Sequence, residues 1–166
     1  MTLPSRRAIN LGGFAVCAAL MAYALYAEYV LLLLPCPLCV FQRIAVIALG
    51  LVFLVAGLHG ASGPGRRIYA ALIGLTAAGG IGVAARHVWL QNLPPDAVPA
   101  CGPGLDTILE RFPLSEALAL VFAGSGECAD VSWRFLGLSM PAWVLICLTV
   151  LGAVGLWNNL RRLPSL

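Results

Sequence analysis

The sequence predicts an all-α membrane protein, a four-transmembrane-helix bundle, and three observations carry that prediction. Of 166 residues, 61% are hydrophobic and 10% charged, with a mean hydropathy of +0.94, too apolar for a soluble domain of this length. Four stretches, about 11–34, 41–60, 68–90 and 141–160, each supply the ~20 apolar residues a helix needs to cross ~30 Å of hydrocarbon. Only helices or closed barrels satisfy the backbone in lipid, so helical spans follow. The third observation is charge: the chain has ten arginines and no lysine. Arg6 and Arg7 precede the first span, Arg66 and Arg67 join the second to the third, and Arg161 and Arg162 follow the fourth. The positive-inside rule makes those segments and both termini cytoplasmic. The connections at about 35–40 and 91–140 then face outward, and the longer one holds six of the seven acidic residues. The whole chain, 1–166, reads as a single integral membrane domain.

Each element can be justified in order. Arg6-Arg7, the apolar run Leu11 to Leu20 and Ala22-Tyr23-Ala24 resemble a cleavable signal. The run continues to Leu34, however, which fits a retained span. Pro35 is expected to end the first helix and Pro37 to open the second, so Cys36-Pro37-Leu38-Cys39 forms the tip of a tight hairpin. Gly60 to Gly65, with Pro64, is a plain turn. In the third span Ala70, Gly74, Ala78 and Gly82 recur every four residues, a seam for close helix packing. The outer loop at 91–140 is too short for a good core of its own. It is extended and irregular around Cys101, where Pro94, Pro95, Pro99, Gly102, Pro103 and Gly104 cluster. Leu114, Leu118, Val121 and Phe122 follow Pro113 near helical spacing, which predicts a short interfacial helix.

The six cysteines divide by location. Cys17 and Cys147 lie within spans and read as small buried apolar side chains. Cys36, Cys39, Cys101 and Cys128 fall on the outer side, and if the host is a bacterium that side is the oxidising periplasm, where they suit two disulfides. Three pairings are open, with Cys36 to Cys39 and Cys101 to Cys128 the natural resting one. A Cys-x-x-Cys loop is too small to be needed for structure, and its place at a helix N-terminus favours thiolate, so the pair reads as catalytic. Zinc on four cysteines competes weakly, because no second Cys-x-x-Cys is present.

Arg43 is four residues beyond Cys39, on the same helical face, where a guanidinium stabilises a thiolate or an anionic ligand; otherwise it snorkels to the headgroups. His87 falls at about the same depth near the outer end of the third span, so both can meet one ligand. His59 lies near the opposite end of the second span, which excludes a bis-histidine haem. Glu28 and Arg86 are further intramembrane ionisable groups, site candidates by default.

The constellation is specific. Pro35-Cys36-Pro37-Leu38-Cys39 with Arg43, then His87, Cys101, Arg111-Phe112-Pro113, Ser125-Gly126-Glu127-Cys128, Trp133 and Phe135-Leu136-Gly137-Leu138-Ser139-Met140-Pro141-Ala142-Trp143 resemble the DsbB family of quinone-dependent disulfide-generating membrane proteins, over nearly the whole chain. The resemblance implies that a DsbA-like periplasmic thioredoxin-fold partner attacks Cys101, and that Cys128 then engages Cys36. Cys39 would be released to donate electrons to a quinone bound by Arg43 and His87. It also implies the bacterial inner membrane, the membrane quinone pool with ubiquinone favoured over menaquinone, no resident metal and no nucleic acid. Gln42, where family members can carry an acidic residue, and Arg86 beside His87 are departures that alter charge near the quinone. Three rivals share some features: a vitamin-K-epoxide-reductase-like oxidoreductase, a reductive thiol conduit and a non-catalytic scaffold braced by disulfides. The long loop carrying Cys101 and Cys128 between the third and fourth spans fits DsbB better than the first. The second would need a cysteine pair facing the cytoplasm.

Overall fold

The architecture, taken from a computed structural model, is described for residues 5–60, 63–100 and 105–161. Cys101, Gly102-Pro103-Gly104 and Arg162 lie outside them. Four helices are long and apolar enough to cross a membrane: α1 Arg6–Tyr29, α2 Pro37–His59, α3 Gly65–Gln91 and, after the long loop, α7 Met140–Leu160. α1 packs on α2, α2 on α3 and α3 on α7, and α7 closes the ring against α1. The chain is therefore a multi-pass membrane bundle. Its core joins Cys17, Val46, Leu49, Phe53, Ile73, Ala77, Leu148 and Leu151, one layer drawn from all four helices.

α1 ends six residues before Pro35, at Tyr29, and not at the proline as the sequence suggests. The reason is a local backbone exchange. Leu31 N–H reaches back to the Tyr26 carbonyl and Leu33 N–H to that of Ala27, turning the chain through Leu32 at φ +55°. A leucine in the left-handed region costs about 1–2 kcal/mol. Pro35 disfavours helical geometry at Leu34, so extended chain is the natural continuation.

The packing seam of α3 also differs from the expected one. Ala70, Ile73, Ala77, Gly80 and Ala84 are buried, whereas Ala78 and Gly82 are exposed. A four-residue step overshoots the 3.6-residue turn, so a strict interval of four drifts off the contact face. Close approach falls instead at Gly80, where a Cβ would sit 2.8 Å from Leu148 Cδ1 and 2.9 Å from Ala45 Cβ.

The long loop is more structured than the sequence suggests. A single 3-10 turn, Pro95–Ala97, is followed by α4 Leu105–Arg111, α5 Leu114–Ala123 and the one-turn α6 Gly126–Ala129. α5 is the short helix expected after Pro113. It turns only Ala117 and Val121 inward, leaving Leu114, Leu118 and Phe122 on its open side. A hairpin of β1 Arg134–Phe135 and β2 Leu138–Ser139 precedes α7. Its turn residues, Leu136 and Gly137, both have positive φ, the type I′ signature that matches strand twist.

Candidate thiol-exchange site

The site is built at the end of the bundle where α2 begins. Cys36 is the N-cap of α2: its backbone is extended, its Sγ accepts from Cys39 N–H at 3.4 Å, and Pro37 supplies the first turn. The cap geometry brings Cys36 Sγ within 2.9 Å of Cys39 Sγ. Cys36 is buried, and Leu38 behind it is fully buried with Val83, Leu90 and Val121.

Cys128 arrives from the other direction on α6. Its N–H donates to the Ser125 carbonyl at 2.9 Å, and its Sγ lies 3.7 Å from Ser125 Oγ. Two features hold this turn in place. Gly124, at φ +85°, sits so close to Leu90 that a Cβ would fall 2.4 Å from Leu90 Cδ1, so only glycine fits. Arg86 donates from Nε to the Phe122 carbonyl and from Nη2 to that of Ala123, each at 3.0 Å, while lying over the Trp89 ring. Arg86 therefore caps the C-terminus of α5 rather than charging the thiol site. Gly126 N–H also donates to the carbonyl of Ala100, the residue before Cys101.

The two halves meet at Cys36. Its Sγ, a His87 ring nitrogen and Cys128 Sγ all lie within 4.8 Å of one another, and all three residues are buried. These donors would suit zinc chemically, but they are one short of a closed structural set, and the same proximity serves sulfur exchange. Hydrogen bonds with Cys128 first, and then with Cys39, hold the Cys36 thiol well above the ordinary thiol range. Cys128 is pushed down, chiefly by the hydrogen bond with Cys36, with backbone contacts from Ser125 and Leu38 adding to it. In the reduced protein the pair thus favours thiolate at Cys128 over Cys36.

His87 takes a different place from Arg43. It is not among the cavity-lining residues beside Arg43 but buried behind them, 2.9 Å from Gln42 through Nδ1 and 3.8 Å from Cys36 Sγ through Nε2. With the Gln42 amide nitrogen donating to Nδ1, the ring proton sits on Nε2 and faces Cys36. Equal depth along two helices does not ensure a shared ligand, because His87 and Arg43 leave their helices in different directions. Arg43 points to α1, paired with Glu28 and donating from Nη2 to the Ala24 carbonyl at 3.1 Å. Glu28 is accordingly its counter-ion.

An apolar cavity of about 160 Å³ lies beside Cys39, Gln42 and Arg43, which supply its polar wall. Leu20, Ala27, Leu33 and Val144 are among the side chains that make the rest apolar. Trp133 and Trp143 close it at the loop, where Trp133 packs on Tyr23 and Trp143 Nε1 donates to the Phe135 carbonyl at 3.0 Å. A redox-active ring with polar oxygens and an apolar body fits this distribution. Cys17 belongs to the core and Cys147 is half-buried in α7; His59 pairs with Tyr69 at the far end of α2.

Thiols converging inside a four-helix membrane bundle, beside an apolar cavity, define a membrane-embedded thiol–disulfide oxidoreductase. Residues 6–158 match the family described as Disulfide bond formation protein DsbB. The chain is 53% identical over 164 residues to Disulfide bond formation protein B of Methylococcus capsulatus, covering 98% of this chain and all of that relative. It is 54% identical over 146 residues to the protein of that name in Nitrosococcus oceani, with 88% and 86% covered. A third, from Saccharophagus degradans, is 51% identical over 160 residues, 96% of each chain. The chain belongs to the DsbB family and is a disulfide-generating membrane oxidoreductase, of a family that is in general quinone-dependent.

Proposed function

We propose that the protein reoxidises a DsbA-like thioredoxin-fold partner at the periplasmic face of a bacterial inner membrane and passes the electrons to a quinone. The observation that carries this reading is the central position of Cys36, 2.9 Å from Cys39 on one side and grouped with Cys128 and His87 on the other. The partner's thiolate attacks Cys101 of a Cys101–Cys128 disulfide and frees Cys128. Cys128 attacks Cys36 of a Cys36–Cys39 disulfide, forming Cys36–Cys128 and releasing Cys39 as thiolate beside the cavity. A second thiolate of the partner then resolves the mixed disulfide, so the partner leaves oxidised; the freed Cys101 thiolate attacks Cys128 of Cys36–Cys128, restoring Cys101–Cys128 and leaving Cys36 and Cys39 as the dithiol that a two-electron acceptor would reoxidise. Support for the loop pairing comes from the Gly126 to Ala100 hydrogen bond, which ties the Cys128 turn to the segment entering Cys101.

A quinone in the cavity would supply a two-electron, two-proton acceptor. Arg43 and Gln42 are the side chains that would hold its oxygens, and His87 orients Cys36 from behind. Ubiquinone is the preferred acceptor over menaquinone. DsbA itself is known to sit near about −120 mV, and ordinary structural disulfides lie below about −300 mV, so a strong external sink is needed. The arginines at the other end support outward placement of the thiols.

Purified protein, a reduced DsbA-like partner and a ubiquinone analogue should give quinol in step with partner oxidation. A C128A variant should accumulate a mixed disulfide with the partner through Cys101, visible on a non-reducing gel. Unchanged turnover in C36S, or no adduct in C128A, would exclude the relay.

A further inference from the structure

We propose that the end of the bundle opposite the thiols carries a binding site for the phosphate of an anionic phospholipid headgroup, built from Arg6 on α1 and Arg66 on α3 at the C-terminus of α7. Arg6 Nη2 and Arg66 Nη1 both donate to the same acceptor, the Arg161 carbonyl, each at 2.8 Å. Two guanidinium groups from distant parts of the chain are thereby held side by side, and Arg6 also feels the charge of Arg161. Like charges brought together in this way need a counter-charge. The negative C-terminal end of α7 supplies part of it, while the acidic side chains Glu28, Asp96, Asp106, Glu110, Glu116, Glu127 and Asp130 all belong to the thiol end or its loop.

The cluster is more than a positive-inside signal. That rule needs arginines only near a span, solvated and free to snorkel, as Arg7 and Arg67 are on the exposed faces of the same helices. Arg6 and Arg66 are instead half-buried and fixed, and Arg6 Nε is a buried donor without an acceptor among the described residues. The level is that of the headgroups. Trp157, half exposed on α7, carries the Arg161 guanidinium 4.9 Å from its ring centroid, an arrangement suited to the membrane interface. Forked donors match phosphate oxygens, and basic pockets between spans are known to hold anionic headgroups. The site holds for either orientation in the membrane, since it depends only on its position at the end of the spans.

The test uses the full chain in non-ionic detergent, with phosphatidylglycerol, phosphatidylcholine of the same acyl chains, or inorganic phosphate added. Lipid retention is read by native mass spectrometry and the unfolding midpoint by circular dichroism. Phosphatidylglycerol should be retained and raise the midpoint, while phosphatidylcholine and inorganic phosphate should not. R6Q/R66Q should weaken that lipid's binding by roughly fivefold for each charge removed, whereas R7Q/R67Q should change it far less. Equal retention of phosphatidylcholine, or an equal loss in the exposed pair, would overturn the site. The same midpoint rise with inorganic phosphate would reassign it to a free anion. Should the glutamine pair not fold, R66Q alone decides: a roughly fivefold loss is expected, and unchanged binding overturns the proposal.

Discussion

Both ends of the bundle bury polar side chains among apolar helices, but they do so to opposite effect. At the end away from the thiols, Asn10 on α1 meets Asn158 and Asn159 on α7: Asn10 Oδ1 accepts from both amides, at 3.1 and 3.0 Å, and Asn10 Nδ2 donates to Asn159 Oδ1 at 3.3 Å. These amides are neutral, their bonds cross directly between helices, and they stand apart from the cavity beside Cys39. At the thiol end Cys36, His87, Gln42 and Cys128 are also buried, but there the 2.9 Å Gln42–His87 bond leads on to a softer 3.8 Å contact between His87 and Cys36 Sγ, and one wall opens on the cavity beside Cys39. Amide networks fix helix register. Thiol clusters held at exchange distance keep several partners available to one sulfur.

Substitutions at the two ends should therefore separate activity from stability. The largest effect is expected for C36A, which removes the sulfur shared by both halves of the site: quinone-linked thiol oxidation should fall to background with the fold intact by circular dichroism. Retained turnover would mean that electrons bypass Cys36. Next, R43A should raise the KM for a soluble quinone analogue by roughly ten- to a hundredfold, the worth of a hydrogen bond to a charged group, with far less change in the KM for the thiol partner. An effect confined to the thiol partner would place Arg43 outside the acceptor site.

At the opposite end, N10L should cost about 1–2 kcal/mol of stability by leaving two buried amides short of an acceptor, and should leave turnover at saturating quinone unchanged. A marked loss of turnover with normal stability would break the division between the ends. The smallest effect concerns pH. Because the hydrogen bond with Cys36 holds Cys128 low, Cys128 should be thiolate at neutral pH in the reduced protein and protonate only on acidification. In C36A its titration should move up towards the ordinary thiol value of about 8.5, followed by thiolate absorbance against a matched C36A/C128A control. No upward movement would show that Ser125 and Leu38 alone set it.

Much of this was legible in the sequence because lipid permits few structures. Hydropathy and arginine placement identified all four spans, and Cys36, Cys39, Arg43 and Cys128 do converge on one end. What escaped was geometry that residue type does not encode. No glycine or proline marks Tyr29, since α1 ends through a left-handed leucine. His87 and Arg43 share a depth but not a direction, and nothing in the sequence distinguishes a residue lining a cavity from one standing behind it. Arg86 resembled an active-site charge because its acceptors are backbone carbonyls of α5, which only the fold brings near. A signal for the hairpin did exist: Gly137 lies in the short segment Phe135-Leu136-Gly137-Leu138 between aromatic residues, a pattern that could have been read as a turn.

The early end of α1 also decides who can reach Cys39. Had the helix run on to Pro35, regular helix would have stood where Leu33, Leu34 and Pro35 now border the cavity as extended chain. The missing turns leave one side of the cavity edged by Leu33 and Leu34, which offer no polar side chain to hold water. That edge favours an apolar oxidant over one dissolved in water, which meets an apolar threshold first.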